Sequence, residues 1–401
     1  MTDPRPFPMR RSCPFLPPAE YAEMRARGPV TKVALPTGRT AWAITGYNEV
    51  RAVLADRRIS SDVRHPNFPS LVAGEQEVAS RVRPFLRMDP PEHTGYRRML
   101  VAEMTMRRAR VMRRAVQRIV DERIDDLLRD GGPVDLVSQF AGVVSTTVMG
   151  EMIGLRRTDP WFRKMTAALG SQHIGGADSD ATSAATGLET LFEVFGGLVT
   201  ERERNPGDDL LSKLIVDHYQ QGTLSRDDLL ATVTITVIAG METTTSQISL
   251  SVLTLLENPD LLAQLRADHT VLPGAVDELL RVLSVGDSIA LRVATADVEI
   301  AGTTIRAGDG VIPLLAAANH DPAVFDEPDR IDAQRSARTH VAFGSGAHQC
   351  VGQNLARVEL EVALGTLFDR IPNLRLAAVA DELEFRHGGI SFGPIRLPVT
   401  W

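Results

Sequence analysis

Cysteine is nearly absent from this chain: Cys13 and Cys350 are its only two, at opposite ends of 401 residues. Two cysteines cannot build a cysteine-based zinc site, and in a reducing compartment a disulfide between them is not expected. Aromatic residues are scarce too, at 5%, so a core of any size must be mostly aliphatic. No run approaches the ~18 consecutive apolar residues of a membrane-crossing helix. The proline-rich opening MTDPRPFPMRRSCPFLPP lacks the apolar stretch of a signal peptide. The expectation is therefore a cytoplasmic protein without membrane contact. Basic excess is missing as well: a net charge of -7 argues against general nucleic-acid binding, which needs a basic footprint. Internal repeats and low-complexity linkers are lacking, so the simplest expectation is one domain spanning 1–401.

What the chain does have is helical periodicity framed by short β signals. Apolar spacing predicts helices over 97–128, 189–204, 227–257, 273–281 and 352–370. The β-rich portions are about 30–47, 293–315 and 374–401, the first alternating around a Pro36-Thr37-Gly38 turn as a hairpin does. The stretch ATVTITVI, 231–238, is β-branched enough to read as a strand. It nevertheless lies in a long proline-free segment opened by Ser225-x-x-Asp228 and closed by Asn258-Pro259, which are helix start and stop signals. At ~1.5 Å per residue such a helix spans roughly 45 Å, the width of a large domain. Between two helical stretches, GSQHIGGADSDATSAATG (170–187) is small, polar and glycine-rich. It suits a lid or a plain surface loop.

Cys350 stands in HVAFGSGAHQCVGQNLAR, 340–357. Gly344, Gly346 and Gly352 permit a tight loop that turns amide N–H groups toward the sulfur, and the helix expected next adds the positive end of its dipole. Both favour a thiolate, and a soft thiolate in a rigid loop is a good ligand for haem iron. A buried structural cysteine explains neither the glycines nor the helix start. A Cys350–His348 nucleophile remains open on this motif alone.

FGSGAHQCVG, 343–352, fits Phe-x-x-Gly-x-His/Arg-x-Cys-x-Gly, and so resembles the signature of the cytochrome P450 superfamily, the haem-thiolate monooxygenases. MDPPEHTGYRR, AGMETT, ELLR and FDEPDRI follow the family's order and resemble its remaining motifs, so the resemblance covers essentially the whole chain. In detail it points to the soluble actinobacterial group acting on secondary metabolites and foreign compounds. It implies a mostly α fold with small β-sheets, a long central helix and haem b buried between helices.

On this resemblance Cys350 is the iron ligand in a loop that includes Phe343, Gly344 and Gly352. His93, Arg97, Arg292 and His348 are expected to bind the haem propionates. Ala239 and Gly240 are expected to lie against the haem, and Thr243 with Glu242 to deliver protons. The mid-helix glycine costs ~1 kcal/mol relative to alanine, a cost that would be met by letting a flat ligand or oxygen approach the backbone. Glu278, Arg281 and Arg330 should form a buried ion network, with Ile331 replacing the family's usual Phe. Leu86, Ile235, Ile238, Ala239, Ile289, Ala290, Leu291 and Ile390 are the expected substrate contacts, mainly aliphatic, which favours a bulky apolar molecule.

The implied activity is hydroxylation or epoxidation of a hydrophobic small molecule, such as a macrolide, another polyketide or a terpenoid, by a monomer using O2. Electrons should pass from NAD(P)H through a ferredoxin reductase and a separate ferredoxin. A peroxide-driven peroxygenase and a non-catalytic haem sensor are the alternatives. Independently of the resemblance, 97–123 carries nine arginines against three acids, which is either a solvated helix face or a docking face for an acidic electron donor.

Overall fold

The computed structural model describes residues 4–72, 76, 84–170, 181–287, 289–387 and 391–401. In chain order, the helices of nine or more residues among them are α1 (Ala19–Arg27), α2 (Tyr47–Ala55), α3 (Glu92–Val101), α4 (Met106–Asp130), α5 (Gly142–Met152), α6 (Pro160–Gly170), α7 (Ala181–Arg204), α8 (Arg226–Glu257), α9 (Pro259–Ala267), α10 (Leu272–Leu283) and α11 (Gln353–Arg370). The expected helix over 97–128 is two helices. Thr105 caps the second, its Oγ1 accepting from the Arg108 N–H, and this cap stops α3 from running on. Most of the expected 170–187 connection lies outside the described residues.

The chain forms two compact units, Met1–Thr94 with Pro273–Cys350, and Gly95–Leu272 with Val351–Trp401. The first is built on a six-stranded sheet. Its spatial order is Arg5–Pro6, Val30–Ala34, Thr40–Ile44, Gly310–Pro313, Arg292–Ala294, Ile59–Ser60. The expected hairpin is there, with Val30 opposite Ile44, Ala34 opposite Thr40, and Gly38 at positive φ in the turn. Alternate residues of these strands feed two cores: Ala41, Ala43, Val293 and Ile312 pack with Phe7, Phe68 and Leu314, while Ile44, Val311 and Ala294 pack with Val50, Ile305 and Phe325. Burying each large aliphatic side chain contributes about 1.5–3 kcal/mol.

In the second unit α4 packs on α11, and α8 lies among α5, α7 and α11. Polar ties cross from α4 to α11, among them Arg113 Nη1 to Glu361 Oε2 at 2.6 Å, Gln117 Nε2 to Thr366 Oγ1 at 3.0 Å, and Arg370 Nη2 to Asp125 Oδ1 at 2.6 Å. Helix α8 starts as its capping signal predicts, Ser225 Oγ accepting from the Asp228 N–H at 3.1 Å. It is long and apolar enough to cross a membrane by composition alone, but it is the core helix of this unit. Its many hydroxyls are reconciled with burial by bonding back to carbonyls one turn earlier: Thr236 to Thr232, Ser249 to Thr245 and Thr254 to Leu250, at 2.7, 2.8 and 2.7 Å. Thr236 and Thr254 thus satisfy their own oxygens within the helix, whereas Thr234 Oγ1 is buried without such a bond.

Candidate active site

The Cys350 loop is closed by its own backbone. Gly344 N–H donates to Val341 O at 2.8 Å, Gln349 N–H to Gly346 O at 3.1 Å, and Cys350 N–H to Phe343 O at 2.8 Å. Asn319 Oδ1 anchors the start of the loop by accepting from the Val341 N–H at 2.7 Å. Gly344 and Gly346 have φ of +69° and +73°, the left-handed region that disfavours a β-carbon. At Gly346 a β-carbon would also meet the Leu54 carbonyl oxygen of α2 at 2.5 Å. The loop therefore requires glycine twice over at that position. Cys350 is exposed, and neither cysteine forms a disulfide.

Three more residues singled out in the sequence gather in the same unit. The rings of His93 and His348 stack with centroids 3.9 Å apart, and Phe85 stacks on the far side of His93 at 6.3 Å. Ser61 Oγ lies 3.0 Å from His348 Nε2, and Asp89 accepts from the Ser61 N–H at 2.7 Å and from Ser60 Oγ. Arg292 is buried in its strand and donates from Nη1 to Leu291 O at 2.8 Å. Among the described residues no carboxylate comes within ion-pair distance of it. Burial, reinforced by repulsion from Arg87, pushes its pKa down to about 10, with Asp89 pulling the other way. A buried cation left without an anion in contact fits an anionic ligand group. Arg97 is half-buried on α3.

The ion network differs from expectation in one member. Glu278 and Arg281 are fully buried and form a two-pronged pair, Nε to Oε2 and Nη2 to Oε1, both 2.8 Å. Arg281 Nη1 reaches Asn319 O at 2.7 Å, which links the pair to the anchor of the cysteine loop. The second arginine on Glu278 is Arg335, Nε to Oε1 at 3.0 Å and 13% exposed. Arg330 is 62% exposed and pairs with Glu327 and Asp332 instead. It touches the network only through its carbonyl oxygen, 3.4 Å from Arg281 Nη2. Ile331, in place of the family's usual Phe, bore only on local packing and did not signal this exchange of arginines.

In the second unit α8 is buried along most of its length, yet Ile235 and Ala239 to Thr243 remain half-exposed. Thr243 Oγ1 donates to Ala239 O at 2.6 Å and Thr245 Oγ1 to Met241 O at 2.8 Å, local bonds that loosen a helix. At Gly240 a β-carbon would meet the end of the flexible Met149 side chain of α5, which would have to shift aside. Glu242 accepts from Ser391 Oγ at 3.2 Å and faces Arg386 at 3.5 Å; sequence reasoning missed both partners. Burial raises its pKa above the ordinary carboxylate value, against the pull of Arg386 and Ser391.

Of the expected substrate contacts, Leu86, Ile289 and Ala290 are open to varying degrees. Leu291, 2% exposed, packs instead in a core with Ile312 and Leu314. Ile238, at 3%, is likewise buried. Ile390 lies outside the described residues.

A family model for Cytochrome P450 matches residues 189–372. Pentalenic acid synthase of Streptomyces avermitilis is 44% identical over 98% of this chain and 97% of its own. The chain belongs to the cytochrome P450 family. Vitamin D3 dihydroxylase of Streptomyces griseolus is 43% identical, covering 100% of this chain and 98% of its own. The crystal structure of CYP105N1 from Streptomyces coelicolor A3(2) superposes with a TM-score of 0.94 at 53% identity, covering 100% of this P450 and 99% of that chain. This P450 is a monooxygenase, an oxidoreductase of a haem-dependent family. Its residues fit that cofactor: an exposed cysteine in a glycine-shaped loop and, in the same unit, a buried guanidinium awaiting an anion.

Proposed function

We propose that residues 1–401 act as one P450 domain that hydroxylates or epoxidises a bulky apolar secondary metabolite of the macrolide, polyketide or terpenoid kind, in the cytoplasm and as a monomer. Haem b, when bound, supplies activation of O2 and transfer of one oxygen atom. Cys350 ligates the iron, with Phe343, Gly344 and Gly352 shaping its loop. His93, Arg97, Arg292 and His348 hold the propionates, and Ser61, fastened by Asp89, orients the His348 ring. The observation that carries this reading is Arg292: a buried cation without a contacting carboxylate among the described residues, in the unit that carries the exposed Cys350. The half-exposed stripe of Ile235 and Ala239 supports an apolar substrate, as do relatives named for pentalenic acid and vitamin D3.

Thr243 and Glu242 deliver protons. The Thr243 hydroxyl sits on a loosened turn where it can exchange its bond to Ala239 O for a water, and Glu242 beside it replenishes that proton. Thr243→Ala therefore folds, binds haem and substrate, and still consumes NAD(P)H. Product per NAD(P)H falls severalfold, and hydrogen peroxide rises to match. Equal ratios in wild type and variant, under the same reductant supply, rule out this role for Thr243.

The electrons come from an acidic ferredoxin and its reductase. Along α4, Arg108, Arg113, Arg118 and Arg123 pair with Glu103, Glu361, Glu151 and Asp126, so they offer little free charge. Arg107, Arg110 and Arg114 are exposed and have no ion pair among the described residues, and exposed Met106 and Val111 lie beside them. Reversing these three charges to Glu slows reduction by ferredoxin about tenfold or more at low salt and flattens its salt dependence. Substrate affinity, read by haem spectral shift, stays the same. An unchanged reduction rate would reduce this face to a solvated surface.

A further inference from the structure

The surroundings of Glu242 are supplied from far along the chain. The C-terminal hairpin, Phe385–Arg386 paired with Gly393–Pro394, brings Arg386 Nη1 to 3.5 Å from Glu242 Oε1, and Ser391 Oγ donates to the same oxygen at 3.2 Å. Ser391 Oγ also lies 2.9 Å from Ser246 Oγ, one turn further along α8. Gly393 lets the hairpin sit this close, because a β-carbon there would meet Ser246 Cβ at 2.9 Å. The hairpin is thus stapled to α8 at two successive turns. The staple is polar, although most of α8 packs through apolar contacts.

The charges around this carboxyl are few. Among the described residues Arg386 is the charged group acting on it, while α5, α7 and α11, all packed on α8, contribute none. Glu359 of α11, the other buried acid of this unit whose pKa is raised, responds to burial alone. Burial favours the protonated form of Glu242, and Arg386 and Ser391 oppose it by stabilising the carboxylate. A relay carboxyl works best when it changes state near the working pH, and with burial unopposed Glu242 would hold its proton too tightly.

We propose that Arg386 and Ser391 are positioning residues for Glu242: the C-terminal hairpin holds that carboxylate against α8 and controls when it takes up and releases a proton. The inference rests on the proton-delivery reading of Glu242. A structural staple alone would leave the titration of that carboxyl without consequence for the reaction.

The test follows the carboxyl directly in the holoenzyme. The infrared C=O stretch of the protonated acid is recorded against pH and assigned by its loss in Glu242→Gln. In Arg386→Met the midpoint moves upward by about one pH unit or more, as expected for losing an opposite charge within ~4–6 Å. Ser391→Ala moves it the same way by less, and Arg386→Lys, which keeps the charge, returns it toward wild type. The pH dependence of product per NAD(P)H moves in step in each variant, with haem content and melting temperature unchanged. If the infrared midpoint stays put in Arg386→Met, or in Ser391→Ala should Arg386→Met fail to fold, the proposal is overturned. If the midpoint moves but product per NAD(P)H is indifferent to it, and to Glu242→Gln, positioning stands and the proton-delivery reading of Glu242 fails.

Discussion

Cys350→His is expected to give a folded protein that has lost the thiolate-type band shift on reduction and exposure to carbon monoxide, and with it all monooxygenase turnover. The backbone bonds that close the loop, from Gly344 to Val341 and from Cys350 to Phe343, do not use the sulfur, so the loop survives the change. Imidazole is an iron ligand too, which allows haem to be retained while the character of the ligand changes. The variant thereby separates holding the cofactor from tuning it. Retention of the thiolate-type shift would place the ligand elsewhere and sink the assignment of Cys350.

Arg335→Ala should destabilise the protein more than any surface substitution. Glu278 has no exposed surface and accepts from both Arg281 and Arg335, so removing Arg335 strips a charged donor from a buried carboxylate that keeps only its Arg281 pair, at a cost of roughly 1.5–3 kcal/mol. A native domain has only ~5–15 kcal/mol in hand, and a loss of that size would show as poor expression, low haem content and a much lower denaturant midpoint. Arg330→Ala is the control. Its side chain is largely exposed and paired only with Glu327 and Asp332, so stability should stay close to wild type. Equal effects of the two substitutions, or the reverse order, would contradict the network as described.

These two arginines show where sequence reading reached its limit. Both follow the same Pro328, both are arginines, and a motif selects the nearer one. Which of them enters the interior depends on the turn at 327–335, where Arg335 N–H bonds back to Asp332 O and Glu327 takes positive φ. Two of the expected apolar contacts are buried for a related reason. Leu291 and Ile238 have the residue types of a ligand pocket and equally those of a core, and only packing decides between them. Arg386 and Ser391 were invisible because a hairpin's docking partner leaves no periodic trace. What was legible was local: the capping signal of α8, the glycines of the cysteine loop, and the hairpin turn at Gly38. Each is fixed by backbone chemistry within a few residues. The β-branched ATVTITVI segment was read as helix because length and caps outweighed propensity.

The uneven burial of α8 also says how this protein can change without breaking. Val237 and Ile238 are almost fully buried, and shortening either side chain would leave a cavity at a cost of up to several kcal/mol. Ile235 and Ala239, on the same helix, are only half covered, so a change of side-chain size there strains few neighbours. Variation at these two positions is therefore tolerated by folding while it reshapes whatever the uncovered stripe touches. A library confined to Ile235 and Ala239 should yield mostly stable proteins with altered ligand preference, whereas one at Val237 and Ile238 should yield mostly unfolded ones. The long helix separates adaptability from integrity within a single turn.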